Sequence, residues 1–415
     1  YGPIGIVMGS VLWTFPHVLV ILIAAFSLSD ARLYESAQVL KAGRWRIFRT
    51  VTLPGAFYGL ISAVMVAFIL VITDFGVPKV IGGNYNVLST DIYKEVVGQQ
   101  NFSMGAVVSV VLLMPAVAAF LIDRQVKKRQ RNAMSSQFVP YVPKNDRWVD
   151  LAALAYCCLI AIATLGIVGM AQYASLVKFW PYNLSLTFDH YQFNVAGVGW
   201  ENFFNSLKLA LAVSAFGTTA ALIGAYIIEK SKTAPYLRTI AGGFSMIPIA
   251  VPGLVLGLSH LMFINHPDNP LQVLYGGFTI LIASTIIHFY TVSHLTATSA
   301  LRQIDPAMEG VSLSLKVPLY KSFFRVTLPI SIPVLLDISI YLFLASMTTV
   351  SGIIFLYGSE TKVASVAAIH LDEMGESAAA AAMGMLIVYA CVIVRLLHLG
   401  FGAWLIQRSQ AWRVR

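Results

Sequence analysis

The chain has 415 residues, 58% of them hydrophobic and only 11% charged, with a mean hydropathy of +0.75. Surface that apolar cannot be hidden in a soluble core, so composition excludes a soluble enzyme or binding module and requires a multispanning membrane protein. The formal net charge of +9 falls in loops between apolar stretches and calls for no nucleic acid.

A transmembrane helix needs about 20 apolar residues at 1.5 Å rise to cross about 30 Å of hydrocarbon, and only helices satisfy every backbone group there in a chain of this kind. Nine stretches meet the length, at about 4–28, 56–77, 102–122, 151–173, 207–228, 239–263, 273–297, 328–350 and 379–399. Most of the 28 Lys and Arg lie in five segments that would share one side: 29–55, 123–150, 229–238, 298–325 and 400–415. By the positive-inside rule that side is the cytoplasm, which puts the C-terminus inside. The run Lys127-Lys128-Arg129-Gln130-Arg131 is read as a topology determinant.

After the first span comes a polar loop, DARLYESAQVLKAGRWRIFRTVTLP, at 30–54. It recurs at 305–329 as DPAMEGVSLSLKVPLYKSFFRVTLP, sharing Asp30/Asp305, Leu40/Leu315, Lys41/Lys316, Phe48/Phe323 and the Val-Thr-Leu-Pro ending. Each copy reads as a short cytoplasmic helix starting at an N-cap Asp, with Pro306 suited to the first helical position. Apolar residues fall on one face, at Leu33, Ala37 and Leu40 and at Met308, Val311 and Leu315. Such a stripe, beside the small residues Ser36, Ala37, Ala42 and Gly43, suits a partner's groove; packing on the chain's own bundle is the alternative.

The second span ends near Asp74, beside Gly76 and Pro78, where a carboxylate faces the exit of a solute vestibule or caps a loop. The linker at 124–149 is basic and then carries Pro140 and Pro143, which break helix. It divides the chain into a first permease-like half at 1–123 and a second at 150–415, with about three spans in the first and six in the second. That asymmetry, with the absence of a starting Met, leads to the expectation of a longer protein with about six helices per half. The segment 176–204 is aromatic and irregular, an interfacial anchor or a partner contact. Pro248, Pro252 and Gly253 interrupt the sixth span, exposing backbone to a cavity as transporters do.

Ionisable groups inside spans are costly and functional by default. Asp337 and Arg395 are expected to pair. Ser346, Thr348 and Thr349, with Asp74 and Asp337, are the candidate lining of a translocation path; hydroxyls bonded to their own helix are the competing reading. His17, His288 and His294 read as packing. Cys157, Cys158 and Cys391 lie in spans without disulfide or metal-ligand spacing, and no catalytic, metal or cofactor constellation is visible.

The two loops resemble the cytoplasmic loops of binding-protein-dependent ABC importer permeases, of general form E-A-A-x-x-x-G with an I-x-L-P-like ending. Glu35-Ser36-Ala37 and Val51-Thr52-Leu53-Pro54 fit in the first copy. In the second, Glu309 stands one residue early and Gly310 and Val311 take the Glu and first Ala positions. Lys41 and Lys316 replace the usual Gly. The resemblance implies an all-α permease whose loops, including Gly43, dock on a cytoplasmic ABC ATPase, expected as a dimer. It also implies a periplasmic solute-binding protein and a bacterial inner-membrane location. No Gly-Lys dipeptide is present, hence no phosphate-cradling G-x-x-x-x-G-K-[ST] loop; ATP is expected to bind the partner, and this chain to need no cofactor. Stretches such as ITDFGVPKVIGGNYNVLSTDIY, IPIAVPGLVLGL and DISIYLFLASMTTVSG resemble fused permeases of the ferric-iron, thiamine and phosphonate group, most of all the 2-aminoethylphosphonate type. A gradient-driven secondary transporter, which also uses internal repeats, is the alternative.

Overall fold

The computed structural model describes residues 2–27, 29–133, 146–193, 197–230, 235–305 and 314–409, together with 139, 141 and 312. These form two compact units, Tyr1–Met170 and Ala171–Arg415. The architecture is all-α: among the described residues seven helices are long and apolar enough to cross a membrane, or nine if two bent pairs each count as one span. All nine expected stretches fall on these elements.

In the first unit, α1 (Pro3–Ser27) leads to the short α2 (Ala31–Val39), to α3 (Arg44–Ile47) and, after a π-helical turn at Phe48–Thr52, to α4 (Leu53–Gly55). The spanning α5 (Phe57–Thr73) follows, bent by 64° from the segment before it. Helices α6 (Gly76–Ile81) and α7 (Leu88–Tyr93) lead to α8 (Phe102–Ala133). Helix α9 (Arg147–Leu176) has nothing in its apolar window buried against protein, as expected of a lipid-facing helix. Helix α5 packs on both α1 and α8. Gly59 allows this approach, because a Cβ there would lie 2.2 Å from the Ala25 Cβ, and small residues are what let membrane helices close on one another.

The second unit opens with a β-hairpin, β1 (Val177–Phe179) with β2 (Asn183–Leu186), the antiparallel pair among the described residues. Then come α10 (Trp200–Lys230), α11 (Pro235–Phe244), α12 (Gly253–Ile264) and α13 (Phe278–Arg302). After the second loop copy, α14 (Leu319–Ser322) and a π turn at Phe323–Thr327 run into α15 (Leu328–Thr348), followed by α16 (Ala364–Glu373) and α17 (Ser377–Ser409). The sixth span is broken where Pro248, Pro252 and Gly253 stand, with a 109° bend between its parts. Gly257 then backs onto the loop after α15, where a Cβ would meet the Gly352 carbonyl oxygen at 3.2 Å. Phe193, Ala210, Phe343, Met347, Ala367 and Met383 join α10, α15, α16 and α17 in one core.

The linker is partly helical. Its first residues continue α8 to Ala133, and Asp123 is buried within that helix at 7% exposure. Pro140 and Pro143 lie outside the described residues.

Candidate functional site

The repeated loop folds the same way twice where both copies are described. Asp30 caps α2, its carboxylate accepting from the Arg32 amide at 3.1 Å. The helix ends in a Schellman motif: Lys41 N–H donates to Gln38 O (2.9 Å) and Ala42 N–H to Ala37 O (3.0 Å). In the second copy the Val317 amide donates to Ser312 O at 2.9 Å. Lys41 and Lys316 both sit at φ 53°, the left-handed position where Gly costs least. The Lys that departs from the resembled pattern therefore keeps the turn and bears its strain. Changing both to Gly should raise stability by up to about 1 kcal/mol per site, read as a higher unfolding midpoint of the detergent-solubilised chain.

Each loop then re-enters its span through a π turn, in which Leu53 N–H reaches Phe48 O and Leu328 N–H reaches Phe323 O. Pro54 and Pro329 explain it: neither has an N–H to donate, and each ring would press on the carbonyl four residues back, so the ladder widens by one residue. Beyond this point the copies differ. The first bends at Pro54-Gly55-Ala56 before α5, whereas Tyr320–Thr348 passes as one span.

Helix α2 buries one side chain, Tyr34, whose phenol donates to Thr52 Oγ1 at 2.9 Å, within the π turn. The linker crosses the same place: Tyr141 stacks on Tyr34 with centroids 4.0 Å apart, and Ala31 N–H donates to Val139 O at 2.9 Å. Tyr141 N–H donates to Ser29 O (3.0 Å), and Arg44 meets Asp146 at 3.2 Å. The rest of α2 is open. Glu35 and Ser36 are exposed, with the Ser36 hydroxyl bonded to Arg32 O; Ala37 is half-buried and Lys41 exposed. Leu33 is 55% and Leu40 80% exposed, so the stripe does not pack on its own bundle. Gly43 is the extended residue that starts α3. Glu309, Gly310 and Val311 lie outside the described residues, as do Met308 and Pro306; Lys316 is exposed.

Of the path candidates, Asp74 and Thr349 follow their helices, Thr348 and Asp337 are exposed, and Ser346 is buried. Asp74 follows the last residue of α5 and accepts from the Gly76 and Val77 amides, each at 3.2 Å, a loop cap. Ser346 and Thr348 donate to Leu342 O and Leu344 O of their own helix. Thr349 is 8% exposed. A second repeat appears here. Asp74 and Thr349 both end their helices in extended conformation. Ser89 and Ser365, the second residues of α7 and α16, donate their hydroxyls to Asp74 O and Thr349 O, both at 2.6 Å. In the loop beyond Thr349, burial, aided by Glu373 and Tyr275, raises the Tyr357 phenol above its usual range.

Asp337 does not pair with Arg395. Its carboxylate lies 3.5 Å from His398 Nε2, and Arg395 contacts the other ring nitrogen at 3.3 Å. The imidazole, one turn further along α17, reaches the carboxylate first. Asp337 also lines a cleft of about 370 Å³ between α13 and α15, with Thr296, Ser299 and Gln303. His17 packs edge-on to Trp13, His288 to Phe289, and His294 stacks on Tyr290. Among the described residues no group of three His, Cys, Asp or Glu could hold a metal.

Residues 1–132 match the family model of the binding-protein-dependent transport system inner membrane component. The putative ferric transport system permease-like protein AfuB of Escherichia coli (strain K12) is 33% identical over 27% of this chain and 89% of its own length. This chain belongs to that family of inner-membrane permease components. The ferric transport system permease protein FbpB of Actinobacillus pleuropneumoniae is 26% identical over 99% of this chain, which covers 60% of it. The chain thus spans about three-fifths of the length of the curated relatives it matches along most of its own. Among solved structures, a bacterial ABC transporter that imports the acidic polysaccharide alginate shares the fold, with TM-score 0.51, 17% identity, and coverage of 68% of this chain and 98% of that one.

Proposed function

We propose that this chain forms the membrane path of an ATP-driven importer, receiving a small solute from a periplasmic binding protein. The closure of a separate, dimeric ABC ATPase would reach the chain through α2 and its counterpart. The observation that carries this reading is the build of α2: Leu33, Val39 and Leu40 stand exposed on a nine-residue helix, and Tyr34 ties that helix to the π turn that opens α5. A groove in the partner would cover the apolar residues and push or pull on Thr52 through the phenol. Nothing in the chain binds ATP by the usual phosphate loop, and the paired copy suits a two-fold partner. In this reading Glu35, Ser36, Lys41 and Gly43, with Glu309, Gly310, Val311 and Lys316, face the ATPase, and the linker at 124–149 separates the two halves.

For the solute, ferric iron is the reading that the named relatives favour, since similarity to a ferric permease extends along nearly the whole chain. 2-Aminoethylphosphonate is the second reading, supported by the stretches around Asp74, Pro252 and Asp337. The cleft at Asp337 and the broken span at Pro252 are the places where either would be passed. Purification of the full-length protein from native membranes in mild detergent should bring down an ATPase with a P-loop. Reconstituted with that ATPase and the binding protein of its operon, the complex should hydrolyse ATP faster with ferric iron than with 2-aminoethylphosphonate. Glu35→Arg should abolish that stimulation while leaving the amount of folded protein unchanged. Recovery of the chain alone, where a control importer stays intact, points to a gradient-driven carrier.

A further inference from the structure

The hairpin β1–β2 presents six large apolar side chains within one short stretch: Phe179, Trp180, Tyr182, Leu184, Leu186 and Phe188 are 50% to 84% exposed. A patch of that kind is not left in water. We propose that this hairpin is an amphipathic plate that lies in the headgroup region of the outer leaflet and fixes the depth of α9.

Its base is held firmly. Val177 is fully buried, Thr187 N–H donates to Leu176 O at 2.7 Å, and the His190 ring bonds Val177 O at 2.9 Å. Ser175 and Tyr191 share a hydrogen bond of 2.9 Å. Beyond that base the second strand alternates, with Phe179 opposite Asn183 across a register shift in the first strand. Leu184 and Leu186 alternate with Asn183 and Ser185, and side chains two apart share a face of a strand. The Asn183 carboxamide oxygen accepts from both the amide and the hydroxyl of Ser185, so the polar face satisfies itself beside water. The tip is aromatic: Phe179 stacks on Tyr182 with centroids 5.8 Å apart, and Trp180 meets Tyr173 of α9 edge-on at 6.2 Å.

Lipid is the occupant because of where the hairpin starts. Val177 directly follows Leu176, the last residue of a 30-residue helix that buries none of its apolar window in protein. At 1.5 Å per residue that helix is about 45 Å long, enough to cross the hydrocarbon and reach the headgroups. Trp and Tyr concentrate at that depth, with an apolar ring body and a polar atom to place. Lys178, exposed beside them, extends a charged end toward phosphate.

The test reads depth and is independent of what the protein transports. In the full-length protein with Cys157, Cys158 and Cys391 changed to Ala, a nitroxide is attached at Leu184→Cys, Leu186→Cys or Ser185→Cys. The protein is then placed in nanodiscs of phosphatidylethanolamine and phosphatidylglycerol. Labels at 184 and 186 should relax strongly with oxygen, which concentrates in lipid, and weakly with a water-soluble nickel chelate; the label at 185 should show the reverse order. Free access of the nickel chelate to all three positions overturns the proposal. Protection of 184 and 186 from both relaxants also overturns it, since a protein partner would then cover this face.

Discussion

Asp123→Ala should destabilise the first unit by about 2–3 kcal/mol. The carboxylate is 7% exposed although it lies in a basic segment. It accepts a hydrogen bond from the hydroxyl of Ser62 on α5 and meets Lys127, one turn further along α8, at 2.7 Å. An acid four residues before a base is the favourable order on a helix, and the half-exposed ammonium keeps contact with water. Removing the carboxylate leaves a buried hydroxyl without its acceptor and a cation without its counter-charge. Ser62→Ala removes only a neutral donor and should cost about 1 kcal/mol. The double variant should cost less than the two single losses together, because both act on one hydrogen bond. Unfolding midpoints of the detergent-solubilised protein, followed by size exclusion, measure all three. Wild-type stability in Asp123→Ala would mean that the carboxylate is solvated and that α5 and α8 are held by packing alone.

The fold was legible wherever hydrophobicity alone decides it. Nine spans follow from run length, and the broken one from Pro248, Pro252 and Gly253, because lipid leaves the backbone no other solution. The loop repeat was legible because both copies kept their Val-Thr-Leu-Pro ending. What hydropathy reads poorly is the polar residue at a span's edge. Hydropathy ends the third span at about 122 because a charge ends an apolar run, yet α8 continues past Asp123 and buries it. The expected Asp337 to Arg395 pair rested on depth in the membrane, which does not say which side chain projects furthest toward the carboxylate; His398 does. The second repeat, at Ser89 and Ser365, has only a faint sequence signature, a Val two residues before each Ser, and one loop is a residue longer. The Schellman turn at Lys41 and Lys316 was hidden for the opposite reason: Gly is its usual marker, and Lys stands in its place.

The same blindness at a span's edge concealed the polar stripe that opens α10. Hydropathy starts that span at about 207, but the helix begins at Trp200, and its first turns carry Asn202, Asn205 and Ser206, all buried. They hold the loop before α16. Asn205 donates to Glu360 O at 2.7 Å and to Lys362 O at 3.2 Å; Asn202 donates to Lys362 O at 3.1 Å and accepts from the Gly199 amide at 2.7 Å. The Ser206 hydroxyl oxygen accepts from the Ala364 amide at 2.8 Å. A carboxamide is suited to this because its two N–H groups can serve two carbonyls at once. Asn205→Leu keeps the volume and removes both donations, to the Glu360 and Lys362 carbonyls, at a cost of about 1 kcal/mol. Asn205→Asp should cost more, because a carboxylate would face two carbonyl oxygens with nothing to donate. The loss should be local. Thr361 still bonds Gly276 O at 2.7 Å and Asn202 still holds Lys362, so hydrogen exchange should quicken at residues 358–364 and the start of α16 while α13 and α15 keep wild-type protection. Faster exchange throughout the second unit would instead make Asn205 a determinant of the whole bundle, with the loop as part of its core.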